Sequence, residues 1–314
     1  MLLDIFWVLL GIAMLYYGGE FLVDNAIRLA RSFGVSEMAI GLTVVAFATS
    51  APELAATLTA AYKDSPDIAI GNVLGSNLAN LGLILGSAAF VVPLTVTARF
   101  VRREVSFMVV VTILAYPLMQ TGYLINRLEG LVFFLLLLTF IVLSLRDPDH
   151  QQTTENEQDE EGQPVWRAVL GVAIGVALLV GGAQALVEGA SNIARSFHVP
   201  ERVIGLTLVA LGTSLPELAA SIVAARRQEG DLVLGNVIGS NIFNLLCILG
   251  LTSMVKPITV APAALAFDFW VTLGISVLVL GLLALRRKLV RSEGLLLLAI
   301  YFGYMVWLFV SLPN

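Results

Sequence analysis

The sequence predicts an all-α membrane protein of ten transmembrane helices, built as two inverted five-helix repeats. Three observations carry that prediction. Hydrophobic side chains make up 58% of the 314 residues and charged ones only 13%, and apolar runs near the ~20 residues that span hydrocarbon recur along the chain. The phrase GLTVVAFATSAPELAA, Gly41 to Ala56, returns as GLTLVALGTSLPELAA, Gly205 to Ala220. Each copy sits in a half with five apolar runs. That number is odd, so two copies joined on one side of a bilayer enter it from opposite faces.

The runs fall roughly at 3–26, 37–62, 67–92, 104–122, 127–145, 165–189, 201–225, 231–255, 266–286 and 293–312. The first lacks a basic start and an A-x-A-like site, so it reads as a membrane helix rather than a cleavable signal. Orientation follows from the cationic residues. The turns after runs one, three, five, seven and nine hold Arg28, Arg31, Arg99, Arg102, Arg103, Arg146, Arg167, Arg226, Arg227, Arg286, Arg287, Lys288 and Arg291. The opposite side holds only Lys63, Arg127, Arg195, Arg202 and Lys256. The richer side is expected in the cytoplasm, with both termini outside. This describes a multi-pass protein of the lipid bilayer, expected in the cell membrane.

Internal self-similarity sets the domain boundaries. An offset of 164 pairs Glu53 with Glu217, Gly18 with Gly182, Asn72 with Asn236, Ser76 with Ser240 and Pro93 with Pro257, without a gap. Fainter correspondence reaches Glu104 and Asp268. The first repeat is therefore 1–146 and the second 165–314. Between them DPDHQQTTENEQDEEGQP, residues 147–164, is polar and acidic. Such composition cannot bury enough surface to fold and reads as a disordered cytoplasmic linker. It lacks the D-x-D-x-D-G spacing of a calcium-binding loop.

Other classes are excluded by what is scarce. One cysteine, Cys247, rules out an intrachain disulfide and reads as a small core residue. Two histidines, His150 in the linker and His198 at a helix boundary, cannot form a zinc cluster. A net charge of −5 without a basic stripe makes nucleic acid an unsuitable partner.

The chemistry concentrates where the repeat is strongest. Glu53 and Glu217 lie deep in apolar segments, directly after Pro52 and Pro216. A carboxylate at membrane depth costs roughly 2.5–3.5 kcal/mol and marks a functional site by default. Proline removes a backbone donor and presses on the carbonyl one turn back, Ala48 in the first copy, and freed carbonyls in hydrocarbon need another partner. Thr49 and Ser50 stand four and three residues before Glu53, on its face of the helix. Thr213 and Ser214 repeat this before Glu217. The following runs add GNVLGSNLAN, Gly71 to Asn80, and GNVIGSNIFN, Gly235 to Asn244. There Asn72, Ser76 and Asn80 share one face, as do Asn236, Ser240 and Asn244.

Every candidate ligand is a hard oxygen, which suits calcium, sodium or magnesium rather than zinc or copper. Two ionised glutamates balance one divalent ion, and calcium takes six to eight oxygens with flexible geometry. Blander readings stand beside these. Gly71, Gly75, Gly235 and Gly239 suit close helix approach rather than ligation. An isolated buried hydroxyl bonds its own helix, but four of them repeated beside glutamates favour ligation. A structural, protonated glutamate is disfavoured because no buried Lys or Arg is at hand. Asp24 and Glu188, accompanied by Arg28 and Arg195, read as interfacial salt links. Glu20 matches Gln184 and is left outside the site. Trp7, Trp166, Trp270 and Trp307 read as interfacial anchors.

These paired motifs resemble the alpha repeats of the calcium/cation antiporter superfamily, specifically its sodium/calcium exchanger branch, and the likeness covers nearly the whole chain. The resemblance implies ten helices and exchange of cytoplasmic calcium for external sodium. It implies ligands at Glu53, Glu217, Thr49, Thr213, Ser50, Ser214, Ser76 and Ser240, with backbone carbonyls at Ala46 and Ala210. Asn80 and Asn244 would line the remaining ion site. It also implies that helices one and six slide past the site-bearing helices. Two departures stand out. Ala48 replaces a usual glycine, and some exchangers carry aspartate where this chain has Asn80 or Asn244, so the site holds one negative charge fewer.

The expected function is thus a cation antiporter with calcium and sodium as ligands, no cofactor and no enzymatic step. Covalent catalysis needs a nucleophile with a base, and the histidines lie elsewhere. Calcium/proton exchange through the same glutamates is the alternative, and a channel is a weaker one.

Overall fold

The computed structural model describes residues 1–146, 164–199, 204, 208, 210–262 and 264–311. The expected linker at 147–163 lies outside these, as do most of residues 200–209. Eleven helices are labelled here in chain order: α1 Leu2–Phe33, α2 Glu37–Thr49, α3 Ala51–Tyr62, α4 Pro66–Val91, α5 Ala98–Tyr123, α6 Arg127–Leu145, α7 Val165–Ser196, α8 Leu215–Arg226, α9 Gly230–Val255, α10 Ala264–Arg286 and α11 Arg291–Ser311. Among the described residues, seven are long and apolar enough to cross a membrane, and α2 with α3 make an eighth span bent by 43°.

Several ends differ from the sequence expectation because local caps extend the helices. The first run was expected to end near 26, but α1 continues to Phe33, where Gly34 at φ 65° closes it in the left-handed conformation. Likewise α5 starts at Ala98 rather than 104, because the Thr97 hydroxyl accepts from the Phe100 N–H at 3.1 Å. Ser36 caps α2 through the Ala39 N–H, also at 3.1 Å. Asn126 and Glu129 form a reciprocal capping box at the start of α6.

Burial sorts these helices into a centre and a rim. The apolar window of α9 is wholly enclosed by protein and that of α4 is 72% buried, against 22% for α1 and 28% for α6. An all-round apolar helix in such a position is a core element, and the rim helices turn Phe, Leu and Trp outward to lipid. The rim pair α1 and α7 pack along their lengths backbone to backbone. A Cβ on Gly182 would stand 2.9 Å from the Gly11 carbonyl oxygen, and Gly18 meets the Leu179 backbone equally closely. Larger residues there would push the two helices apart.

Two short antiparallel ladders tie loops of one half to loops of the other. Leu94 pairs with Leu289 and Thr95 with Lys288, while Leu124 pairs with Thr259 and Ile125 with Ile258. Adding or subtracting 164 converts one ladder into the other residue for residue. The internal repeat therefore extends well beyond the stretch where identities are frequent.

Candidate cation site

The site begins at the break between α2 and α3. Ser50, at φ −82° and ψ 6°, belongs to neither helix, and Pro52 sits in the first turn of α3 with Glu53 after it. Thus the C-terminal carbonyls of α2 and the N-terminal turn of α3 meet midway along the bent span. The Ala46 carbonyl accepts the Ser50 N–H at 3.0 Å and keeps a second lone pair. In the second half Ser214 takes the same conformation, φ −90° and ψ 2°, before α8 with Pro216 and Glu217. Ala210 lies on the short helical turn Ala210–Gly212 just upstream.

The two breaks face each other, and their bonds cross. The Ser50 hydroxyl donates to Glu217 Oε1 at 3.2 Å, and the Ser214 hydroxyl donates to Glu53 Oε1 at 3.4 Å. Each serine serves the acid of the opposite half. Glu53 and Glu217 are 1% and 2% exposed. Thr49, fully buried, donates to the Val45 carbonyl at 3.0 Å and reaches Asn236 Oδ1 at 3.3 Å. Thr213 is half-buried.

Helices α4 and α9 complete the enclosure. Ser76, Asn80, Ser240 and Asn244 are all buried. Asn80 and Asn244 each open a π-helical turn, Asn80–Ile84 and Asn244–Ile248, a distortion common at functional sites. The one-face reading of Asn72 and Asn236 changes role. Asn72 donates to the Glu53 carbonyl at 3.1 Å and to Thr57 at 2.9 Å, and Asn236 donates to Ser221 at 3.1 Å. Both bind the proline-broken helix to its neighbour. Gly235 and Gly239 allow the expected close approach, with a Cβ on Gly239 falling 2.7 Å from the Leu42 carbonyl oxygen. Gly71 and Gly75 meet nothing within 4 Å, and the segment that the offset would set against them lies mostly outside the described residues.

Among the described residues, several oxygens of the candidate ligands are buried without a protein hydrogen-bond partner: Glu53 Oε2, Glu217 Oε2, Thr213 Oγ1, Ser240 Oγ and Asn244 Oδ1. An unsatisfied buried polar oxygen costs about 1–3 kcal/mol, a cost that a bound cation would relieve. Among the described residues no group of three His, Cys, Asp or Glu is placed to hold a metal ion. Charge must come from the two glutamates, and the other donors are neutral.

A cavity of about 680 Å³ borders the site. Ala51, Pro52 and Thr213 line it together with Gln184, Glu188 and Ser191 of α7. It follows α7 toward that helix's C-terminal end. Toward the other end of the broken helices, Arg227 after α8 grips both Glu20 and Asp24 of α1. This corrects the expected Asp24–Arg28 link. Arg227 offers one guanidinium fork to both carboxylates across a helix contact. Arg195, in turn, donates to Asn192 at 2.9 Å.

Spacing-by-four reasoning missed Asn77 and Asn241, which lie off the face of Asn72, Ser76 and Asn80. Both are 1% exposed, and Asn77 contacts Asn241 and Asn244 across the halves. Their recurrence at the 164 offset was the available signal.

Comparison with known proteins adds an independent line. The chain matches the sequence model of the family described as Sodium/calcium exchanger protein over residues 3–146 and 167–310. It is 33% identical to Sodium/calcium exchanger MaX1 of Methanosarcina acetivorans, over 96% of this chain and 97% of the relative. It is 38% identical to Inner membrane protein YrbG of Escherichia coli K12, over 98% and 96%. Among solved structures, the sodium-calcium exchanger NCX_Mj soaked with 2.5 mM Na+ and 1 mM Sr2+ superimposes with a TM-score of 0.85 at 33% identity, covering all of both chains.

Proposed function

The chain belongs to the sodium/calcium exchanger family of integral multi-pass membrane antiporters, and from that premise we propose that it exchanges calcium for sodium at one site by alternating access. The observation that carries this reading is the reciprocal pair of bonds, Ser50 to Glu217 and Ser214 to Glu53. They bring one acid from each half into a single buried oxygen cluster.

In this reading Glu53 and Glu217 neutralise calcium. Thr49, Thr213, Ser50, Ser214, Ser76 and Ser240, the carbonyls of Ala46 and Ala210, and the amides of Asn80 and Asn244 supply neutral oxygens to calcium or sodium. Electrostatics couples the fluxes. With both carboxylates uncompensated, rearranging the site through hydrocarbon is costly; loaded with calcium or sodium, the site is neutralised and crosses.

Support for two inverted five-helix repeats, 1–146 and 165–314, comes from the two ladders that interchange under the offset. Their strands follow successive helices, so a membrane would hold them at opposite faces. With the cationic turns inside, the cavity along α7 opens outward, and Arg227 with Glu20 and Asp24 closes the cytoplasmic side. The glycine-sealed pair α1 and α7 then moves as one body against α2, α3, α4, α8 and α9.

Proteoliposomes test the reading. Calcium uptake driven by an outward sodium gradient, and not by an imposed pH gradient, is expected. Uptake driven by protons alone would assign the same glutamates to calcium/proton exchange, and flux without any counter-ion would indicate a channel.

A further inference from the structure

We propose that Asn77 is a positioning residue that selects for sodium, by forcing Asn244 to present its oxygen rather than its amide N–H2 to the ion. The inference rests on the exchange reading above and names a residue outside the ligand set given there.

A chain of one-way hydrogen bonds carries the argument. The Asn241 backbone carbonyl can only accept, so the group turned to it at 3.5 Å is Asn77 Nδ2. Asn77 Oδ1 therefore faces away from that carbonyl and accepts from Asn244 Nδ2 at 3.0 Å. Asn244 has thereby turned its nitrogen to Asn77, and its Oδ1, like that of Asn241, is buried without a protein partner among the described residues. The Asn241 carbonyl also accepts the Asn244 backbone N–H, where α9 passes into the π-helical turn Asn244–Ile248. Asn77 itself is 1% exposed and comes from α4, so the first half dictates which end of an amide the second half offers.

The chemistry makes that end decisive. An amide offers a cation either a good oxygen ligand or two N–H donors that repel it. A carboxylate has no wrong end. Without Asn77, the Asn244 side chain is free to turn, and the site loses one neutral oxygen for part of the time. Calcium, balanced chiefly by Glu53 and Glu217, tolerates this better than sodium.

The test is displacement of bound radioactive calcium by sodium in the purified full-length protein, for the unmodified chain, Asn77→Ala, Asn244→Asp and the double variant. In the Asn77→Ala chain the sodium concentration for half-displacement rises about tenfold, with calcium affinity changed less than about twofold. In the Asn244→Asp background the same substitution shifts sodium by less than about twofold, because both ends are oxygen. Asn77→Leu, which keeps the volume, gives the same pattern should the alanine variant fail to fold. Equal shifts in both backgrounds, or no shift in either, overturn the proposal, since a merely structural asparagine would act alike in both. If sodium fails to displace calcium even from the unmodified chain, the exchange reading falls and this inference with it.

Discussion

The two halves carry nearly the same oxygens in different surroundings. In the first, Thr49 is fully buried and bonded to Val45 and Asn236; its counterpart Thr213 is half-buried, borders the cavity, and has a hydroxyl without a hydrogen-bond partner among the described residues. On α1, Glu20 and Asp24 are held by Arg227. Subtracting or adding 164 turns these into Lys63, Gln184 and Glu188, and the last two line the cavity. One sequence pattern thus occupies a closed and an open setting at once. A two-state carrier with interchangeable halves requires such asymmetry in either state, and the opposite state would exchange the roles.

That comparison can be broken or sharpened by substitution. The largest effect is expected where the halves are alike. Ser50→Ala and Ser214→Ala each remove a hydrogen bond to a buried acid, worth about 1.5–3 kcal/mol. Calcium affinity should fall about tenfold or more in both, measured by equilibrium binding, and a large inequality would break the reciprocity. Thr49→Ala and Thr213→Ala should differ, because Thr49 is bonded and fully enclosed in this state while Thr213 borders the cavity. We expect about a fivefold loss for the former and about twofold for the latter; equal losses would contradict the asymmetry. The smallest effect concerns the ion pairs at Arg227, which are partly exposed and worth about 1 kcal/mol. With Cys247 replaced by serine and cysteine placed at Gln184, Arg227→Gln should slow labelling by an external, membrane-impermeant reagent about threefold. Faster or unchanged labelling would show that Arg227 does not hold the cavity open.

Much of this site was legible because charge and proline in an apolar run have few cheap explanations. Glu53, Glu217, Pro52 and Pro216 stood out by cost alone, and the fixed offset said that they belong together. Partner choice was not legible. Nothing in GLTVVAFATSAPELAA says that Ser50 serves Glu217 rather than Glu53, because that depends on how two helices cross. The π-helical turns at Asn80 and Asn244 were equally hidden, since they arise from packing and not from local propensity. Asn72 and Asn236 share the face of the serines, yet they bind the broken helices, Asn72 at Glu53 and Thr57 and Asn236 at Ser221 and Thr49. The pairing of Glu20 with Arg227 spans 207 positions, and Glu20 is not repeated, so the offset could not find it.

The central claim is that one ion is shared by an acid from each half, and equilibrium calcium binding to the purified protein tests it most directly. The account predicts one calcium per chain, a fall of about 100-fold in affinity for either Glu53→Gln or Glu217→Gln, and a double variant far from additive, as for two groups acting on one ligand. Two calcium ions per chain, or two single effects that simply add, would contradict it.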